Sequence, residues 1–284
     1  MYSRVYVEIT NKCNMNCSFC HGTKRKRGQM TLGQFARVVG NLKGVTEYLY
    51  LHVLGEPLTH PMLPTFIEYA KASGYKVAIT TNGTLLEKLG DKLIAAGVYK
   101  VNVSLHSFER EDADKQKKYV ESCADFADKA SRAGVLTVLR LWNGTEIGAE
   151  DADTVSDRND LTLNVLHSKF DGEWSFGVRG ARIRDKLHLE HGQRFDWPDM
   201  AAENMGDKVF CHGLGDHFAI LCDGSVVPCC LDAEGDMTLG NIFETDIRAI
   251  LASPRAVAIA EGFQKKTACE ELCKRCGYAR RFKI

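Results

Sequence analysis

The first half of the chain alternates short apolar runs with segments whose apolar residues recur every three or four positions. Runs such as Arg4–Ile9 and Tyr99–Ser107 are typical of buried strands, and the longer periodic segments are typical of helices. Thr31–Leu42 and Pro64–Ser73 are two such predicted helices, with Thr31 as an N-cap. The alternation predicts parallel strands joined by right-handed helical crossovers.

The same pattern predicts further strands at Glu47–Val53, Tyr75–Thr81, Val135–Trp142 and, after a polar connection, Leu161–Ser168. Six strand–helix units predict an α/β fold built as a complete or a partial (β/α)6 barrel. After residue 169 the regular period is lost, and cysteines become frequent after residue 210. We therefore expect a barrel domain over residues 1–185, a linker over 186–209 and a small C-terminal domain over 210–284.

Composition narrows the classes of protein that the pattern allows. The 284 residues are 44% hydrophobic and 26% charged, which suits a globular core and excludes a disordered chain. Lys and Arg together number 37, as do Asp and Glu, so a stable complex with nucleic acid is not expected. No apolar run is long enough to span a membrane, and the polar N-terminus does not resemble a signal peptide, so a cytoplasmic protein is expected. Eleven cysteines in a reducing compartment favour thiolate ligands over disulfides.

Three cysteines, Cys13, Cys17 and Cys20, lie in the segment CNMNCSFC with the spacing C-x3-C-x2-C. Zinc would require a fourth ligand, and the adjacent His21 is poorly placed to complete a tetrahedron. A redox dithiol would use Cys17 and Cys20 but leave Cys13 without a role. A cubane iron–sulfur cluster on three thiolates would keep one iron open to another ligand. Spacing alone leaves the three alternatives open.

The segments that end the predicted strands add context to the triplet. They are LGEPLTHP after the second strand, TTNGTLL after the third, VSLHS on the fourth and LRLWN on the fifth. With C-x3-C-x2-C after the first strand, this series resembles the radical S-adenosylmethionine (radical SAM) superfamily. The resemblance implies that Cys13, Cys17 and Cys20 hold a catalytic [4Fe–4S] cluster. In that family the open iron binds S-adenosylmethionine, and reductive cleavage yields methionine and a 5′-deoxyadenosyl radical.

The resemblance also implies a set of cofactor-binding residues at the strand ends. The Gly55 backbone and the Glu56 side chain correspond to the part of the family motif that holds the methionyl ammonium group, although Leu54 stands in place of its first glycine. The complete implied set is Phe19, Gly55, Glu56, Asn82, Ser104 and Arg140. Taken singly, each of these residues is commonplace in a loop or a strand.

The C-terminal region carries a second cysteine pattern, C-x12-G-x4-C, from Cys211 through Gly224 to Cys229. HFAIL and SVVP are predicted to form a hairpin around the Asp-Gly turn. The pattern resembles the auxiliary-cluster domain SPASM or its shortened form, twitch. The resemblance implies one auxiliary [4Fe–4S] cluster on Cys211, Cys229, Cys273 and Cys276. Cys230 and Cys269 are alternative ligands, and a structural zinc site is the competing interpretation.

Substrate and partner surfaces carry a weaker signal. The stretch from His167 to Arg184 combines aromatic, acidic and basic residues that would suit a small polar heterocycle. Its candidate substrate contacts are His167, Asp171, Trp174 and Arg179. The basic run Lys24–Arg27 is either a solvated surface or a docking point for an acidic electron donor, flavodoxin or ferredoxin.

Three functions are compatible with these features. The first is a radical SAM lyase or oxidoreductase acting on a small polar metabolite, such as a modified nucleobase, in a manner similar to queuine lyase, which breaks a C–N bond. The second is a radical SAM/SPASM maturase that modifies a peptide or protein. The third is a non-enzymatic iron–sulfur or zinc protein that transfers electrons or binds a ligand. The residues at the strand ends disfavour the third, because an electron carrier needs none of them.

Overall fold

The computed structural model describes residues 1–108, 112–144 and 152–282. Its strands, in chain order, are β1 (Arg4–Val7), β2 (Tyr48–Tyr50), β3 (Lys76–Thr81), β4 (Lys100–Ser104), β5 (Leu136–Gly144), β6 (Ser175–Gly177), β7 (Gly180–Arg184), β8 (Leu187–Gln193), β9 (His217–Ile220), β10 (Ser225–Val227) and β11 (Gly240–Asn241). Its helices are α1 (Leu32–Asn41), α2 (Leu63–Ala72), α3 (Leu86–Ala96), α4 (Ala113–Arg132), α5 (Ala152–Lys169), α6 (Ile247–Leu251) and α7 (Pro254–Gln264).

The strands form one open sheet in the order β11-β10-β9-β1-β2-β3-β4-β5-β8-β7-β6. Strands β1 to β5 and β8 are parallel, with α1 to α4 in the connections between β1 and β5. This confirms the expected partial barrel of six parallel strands. Strand β9 extends the sheet parallel to β1, and β9 with β10 forms the predicted antiparallel hairpin. No helix within the described ranges is long and apolar enough to cross a membrane.

The predicted sixth strand, Leu161–Ser168, is wrong, because this segment belongs to helix α5. Thr162, Leu166 and Phe170 are buried at a spacing of four residues, which is the helical period. The side chain of Gln116, on α4, donates to the Thr162 hydroxyl at 3.2 Å and holds the two helices together. In the sequence, apolar and polar residues alternate over part of Leu161–Ser168, and this alternation favoured a strand over the helix.

The sixth parallel strand is instead β8, in which buried Leu187 and Leu189 alternate with less buried neighbours. It lies in the segment 186–209 that the sequence indicated as a linker, and it pairs with β5. We therefore propose that the barrel domain extends through Gln193, and that the linker is correspondingly shorter.

Alternation along the strands separates the core from an inner, polar face. On β1, Val5 and Val7 are fully buried in the hydrophobic core, whereas Arg4 and Tyr6 line an internal cavity. The helices cover the apolar face, where Phe35 of α1 stacks on Phe66 of α2 with ring centroids 4.4 Å apart. Parallel barrels have their active sites at the carboxyl ends of the strands, so a functional site is expected at the loops after β1 to β5.

Candidate active site between two groups of cysteines

The first cysteine group lies in the loop between β1 and α1. The Cys20 amide donates to the Cys17 carbonyl at 3.2 Å, and the Met15 amide donates to the Cys13 sulfur at 3.4 Å. These bonds fold the loop locally, and Cys13 and Cys20 remain exposed. We name residues 13–20 the cysteine loop.

The cysteine loop faces the carboxyl ends of β3 and β4. The Cys17 thiol donates to the Ser107 carbonyl at 3.6 Å, and the Asn82 side-chain amide lies 4.0 Å from the Cys13 sulfur. The same amide donates to the Asn14 side-chain oxygen at 2.9 Å. The three thiols and Asn82 therefore share one end of the sheet, as the motif order implied.

Gly55 lies directly against the backbone that leads into the cysteine loop. Its φ is +77°, and a Cβ at this position would lie 2.6 Å from the Thr10 carbonyl oxygen and 2.8 Å from that of Lys12. The adjacent Glu56 amide donates to the same Lys12 carbonyl at 2.8 Å. Only glycine combines this backbone conformation with so close an approach.

Gly55→Ala is therefore expected to destabilise the protein and to displace the cysteine loop. The left-handed conformation alone costs a non-glycine residue about 1–2 kcal/mol, and the clash with residues 10–12 adds to it. Gly74→Ala is a matched control, because Gly74 also has positive φ (+93°) but has open space where a Cβ would lie. Denaturant unfolding and iron content measure the effect. Equal losses in the two variants would contradict the close-approach argument.

Glu56 is a buried carboxylate that joins the segment after β2 to the end of β3. It is 2% exposed, and its two oxygens accept hydrogen bonds from the amides of Leu58 (3.0 Å) and Asn82 (2.7 Å). Burial raises its pKa to about 7, although the two amide hydrogen bonds act in the opposite direction. A cationic ligand group nearby would favour the ionised form.

The raised pKa of Glu56 predicts a pH-dependent stability for the protein without bound metal. Between the ordinary pKa of 4.5 and the folded-state value of about 7, the folded chain binds more protons than the unfolded chain. Stability therefore falls as pH rises through this window, by on the order of 3 kcal/mol. Glu56→Gln cannot titrate and should lack this component. Urea unfolding of wild type and Glu56→Gln at about pH 5 and about pH 8 measures this component. If the unfolding free energy changed by the same amount between the two pH values in both proteins, the assignment would be contradicted.

Phe19, Ser104 and Arg140 line one internal cavity of about 360 Å³. Arg140 donates from Nε to Glu190 of β8 at 3.1 Å, and its guanidinium lies 4.5 Å above the Trp142 ring. These contacts hold the guanidinium at the inner face. The family resemblance implied that Arg140 contacts the cofactor. It gave no indication that Glu190 fixes the orientation of the Arg140 guanidinium.

The second cysteine group borders the same cavity. Cys211, Cys229, Cys273 and Cys276 all line it. Burial raises the pKa of Cys229, and the neighbouring Cys211, Cys230 and Cys273 raise it further. Cys273 is affected in the same way, by burial first and then by Cys211 and Cys276. The four thiols are thus close to one another, and their thiolate forms are unfavourable unless a metal centre compensates the charge.

The alternative ligands lie differently. Cys230 also lines the cavity, but burial raises its pKa to about 11 while a hydrogen bond with Tyr6 of β1 lowers it, so its sulfur faces β1. Cys269 is exposed. Within the described ranges, no three His, Cys, Asp or Glu side chains converge closely enough for a single metal ion. A cubane distributes its thiolates over separate irons and accepts a wider arrangement than tetrahedral zinc does.

The four residues indicated as substrate contacts do not line this cavity. His167 and Trp174 stack on each other with centroids 3.9 Å apart, and the Trp174 indole donates to the Phe170 carbonyl at 3.1 Å. Asp171 and Arg179 are exposed on the surface. The segment lies with α5 and the β6–β7 hairpin at the far edge of the sheet, which removes it from the carboxyl ends of β1 to β4.

The residues that do line the cavity come from alternate positions of the strands and from the region after β8. Those that sequence reasoning missed include Arg4, Tyr6, His52, Trp142, Arg194 and Tyr278. The lining contributed by the described residues contains three arginines and no aspartate or glutamate. Burial, with help from Arg140, lowers the pKa of His52 to about 3, so its imidazole is neutral. The cavity thus combines aromatic rings with hydrogen-bonding and cationic groups, as sites for polar organic molecules do.

The basic run Lys24–Arg27 is not a uniform surface patch. Lys24 and Lys26 are exposed, but the Arg25 guanidinium is paired with the fully buried Glu8 at 2.7 Å. Arg25 is therefore unavailable to an acidic electron donor.

Comparison with known proteins agrees with this geometry. Residues 7–157 match the model of the radical SAM superfamily, and residues 211–277 match SPASM, an iron–sulfur cluster-binding domain. The chain belongs to the radical SAM superfamily, and it is an enzyme with a C-terminal SPASM domain. The two matched domains imply [4Fe–4S] clusters and the binding of S-adenosylmethionine.

Individual relatives are more distant. GTP 3′,8-cyclase of Chlorobaculum tepidum is 30% identical over 200 residues, which are 64% of this chain and 60% of that protein. The chain spans about half to three fifths of the length of the curated relatives that it matches. The structure of BtrN in complex with AdoMet and 2-DOIA has a TM-score of 0.60 at 18% identity, covering 97% of this chain and 93% of BtrN. Streptococcus suis SuiB bound to the precursor peptide SuiA also has a TM-score of 0.60, at 14% identity, covering 98% of this chain and 71% of SuiB.

Proposed function

We propose that this enzyme abstracts a hydrogen atom from a small polar organic molecule, with modified nucleobases as the first class to test. The single observation that carries the proposal is the cavity of about 360 Å³ that is lined both by Phe19, Ser104 and Arg140 and by the second cysteine group. Its volume lies at the lower end of the range for small-molecule sites.

The residues at the strand ends suit the cofactors that the family uses. Cys13, Cys17 and Cys20 would hold the catalytic cluster, and the cofactor contacts would come from Phe19, Gly55, Glu56, Asn82, Ser104 and Arg140. When bound, S-adenosylmethionine and this cluster supply the 5′-deoxyadenosyl radical. The buried Glu56 carboxylate lacks a cationic side chain among the groups that shift its pKa, so it is suited to an ammonium group of the cofactor.

One auxiliary [4Fe–4S] cluster on Cys211, Cys229, Cys273 and Cys276 completes the proposal. These four thiols border the cavity, and Phe19 of the cysteine loop also lines it, so a substrate bound there would lie against the second cysteine group and beside the cysteine loop. A flavodoxin or ferredoxin would deliver electrons, and Lys24 and Lys26 are exposed cations of the basic run that could make such a contact.

The named activities of similar proteins favour a small substrate. One relative is a GTP 3′,8-cyclase, and BtrN was crystallised with AdoMet and 2-DOIA. C–N bond cleavage similar to that of queuine lyase is the specific reaction we propose. The match to peptide-bound SuiB makes peptide modification the second candidate, which the experiment below distinguishes.

The test uses anaerobically reconstituted protein with S-adenosylmethionine and dithionite, and measures 5′-deoxyadenosine formation. We expect queuine or a related 7-deazapurine base to accelerate it about tenfold or more, and a deuterated base to transfer deuterium into 5′-deoxyadenosine. Val53→Phe, which would fill part of the cavity, should weaken this response. Val257→Phe is the control, because Val257 is exposed on α7. Acceleration by peptides alone would support the maturase instead, and equal responses of the two valine variants would reject the cavity.

A further inference from the structure

A buried ion pair connects the segment after the cysteine loop to the first strand. Glu8, which follows β1, is 0% exposed, and both its carboxylate oxygens lie 2.7 Å from Nη2 of Arg25. The Arg25 side chain is 13% exposed, whereas Lys24 and Lys26 beside it are exposed. The Arg25 side chain is therefore directed into the protein, and solubility does not explain its position.

The pair joins its own two segments to three further parts of the chain. Glu8 also accepts from the amide of Cys222, in the β9–β10 turn, at 3.1 Å and from the Leu54 amide, beside Gly55, at 3.4 Å. Arg25 donates from Nε to the Ala233 carbonyl at 2.7 Å. The pair thus links the strand before the cysteine loop, the cofactor-binding segment after β2 and two segments of the SPASM domain.

A short loop continues this connection to the second cysteine group. Its residues, 232–237, are held by the Asp232 carboxylate, which is 0% exposed and accepts from the amides of Gly235, Asp236 and Met237 at 2.9–3.1 Å. Within this loop, the carboxylate of Glu234 accepts from the Lys24 amide at 3.1 Å. At the C-terminal end of the loop, the Met237 sulfur lies 3.5 Å from the Cys273 sulfur. Loop 232–237 therefore contacts both Lys24, in the segment after the cysteine loop, and Cys273 of the second cysteine group.

We infer that Arg25 is a positioning residue that fixes the cysteine loop relative to the second cysteine group, through Glu8 and loop 232–237. The inference rests on the proposed pair of clusters. A buried ion pair is often no more stabilising than apolar residues of similar volume, so stability alone does not account for it. A guanidinium fork that engages a carboxylate and a carbonyl together does fix an orientation, which lysine or methionine cannot reproduce.

The experiment separates positioning from stability with a neutral double variant. Arg25→Met alone leaves the buried Glu8 unpaired and should lower both the thermal midpoint and the iron content. Glu8→Gln combined with Arg25→Met removes both charges, so the midpoint and the iron content should recover. In the double variant, S-adenosylmethionine cleavage should remain about tenfold below wild type. The EPR signal of the reduced, S-adenosylmethionine-bound cluster should also differ, including its magnetic interaction with the auxiliary cluster.

Two further variants complete the design. Lys43→Met removes an exposed cation between α1 and β2, away from the Glu8–Arg25 pair, and should behave as wild type in every measurement. Arg25→Lys keeps the charge next to Glu8 but loses the fork that also reaches Ala233, so it should fold and still show the altered EPR signal.

Several outcomes would overturn the inference. Wild-type cleavage and EPR in the double variant would mean that the pair only stabilises the fold. A double variant that does not fold, together with a wild-type EPR signal in Arg25→Lys, would lead to the same conclusion. If wild-type protein holds only about four irons, the two-cluster proposal fails, and the inference fails with it. If wild type holds two clusters but the Arg25 variants resemble Lys43→Met, only the inference fails.

Discussion

Cys17→Ala is expected to abolish the cleavage of S-adenosylmethionine while leaving the protein folded. A cubane left with two protein thiolates loses the support that presents its open iron. In the structure the Cys17 thiol also donates to the Ser107 carbonyl at the end of β4, so the substitution removes a contact between the loop and the sheet. The hydrophobic core contains none of the three loop cysteines, and a cooperative unfolding transition should therefore persist.

Production of 5′-deoxyadenosine under dithionite measures this effect, and circular dichroism reports the fold. Cys269→Ala is the control, because it removes another exposed cysteine that lies outside both proposed ligand sets. It should retain wild-type cleavage. Normal cleavage by Cys17→Ala would show that the catalytic cluster has been assigned to the wrong residues.

The regular part of the barrel was predictable because local and tertiary preferences agree there. Thr31 caps α1 in a capping box with Gln34, as the sequence indicated, and Gly97 ends α3 in the left-handed conformation with φ +81°. The strand predicted within α5 was wrong because local and tertiary preferences disagree there. The letters of Leu161–Ser168 fit both periods, and packing against Gln116 of α4 decided between them. A single sequence contains no record of that packing.

The cysteine loop and the strand-end residues were predictable because their spacing is local and their order follows the strands. The cavity was not, because it is assembled from alternate strand positions and from the segment after β8. Arg4 and Tyr6 could have been found from their alternation with Val5 and Val7. Arg25 gave no such signal, since only the fold shows that it alone of its run reaches the buried Glu8.

The joint replacement of Cys273 and Cys276 by alanine is expected to halve the iron content, from about eight to about four per chain. Both thiols line the cavity beside Cys211, and Cys273 also contacts Met237 of loop 232–237. The pKa of each thiol is raised chiefly by burial, so its thiolate form depends on a bound metal centre. The region after residue 210 has few regular elements, and metal binding should supply much of its stability.

Iron analysis, limited proteolysis and 5′-deoxyadenosine formation together measure the result. Protease sensitivity should increase after residue 210, whereas cleavage of S-adenosylmethionine should persist at a reduced rate because the first cysteine group is intact. Cys123→Ala is a matched control for the loss of a thiol, since Cys123 is fully buried on α4 near Gly83 and Tyr119, away from the cavity lining. It should keep about eight irons. Zinc in the wild-type protein, with about four irons, would assign the C-terminal cysteines to a structural metal site instead, because four thiolates can also complete a tetrahedral zinc site.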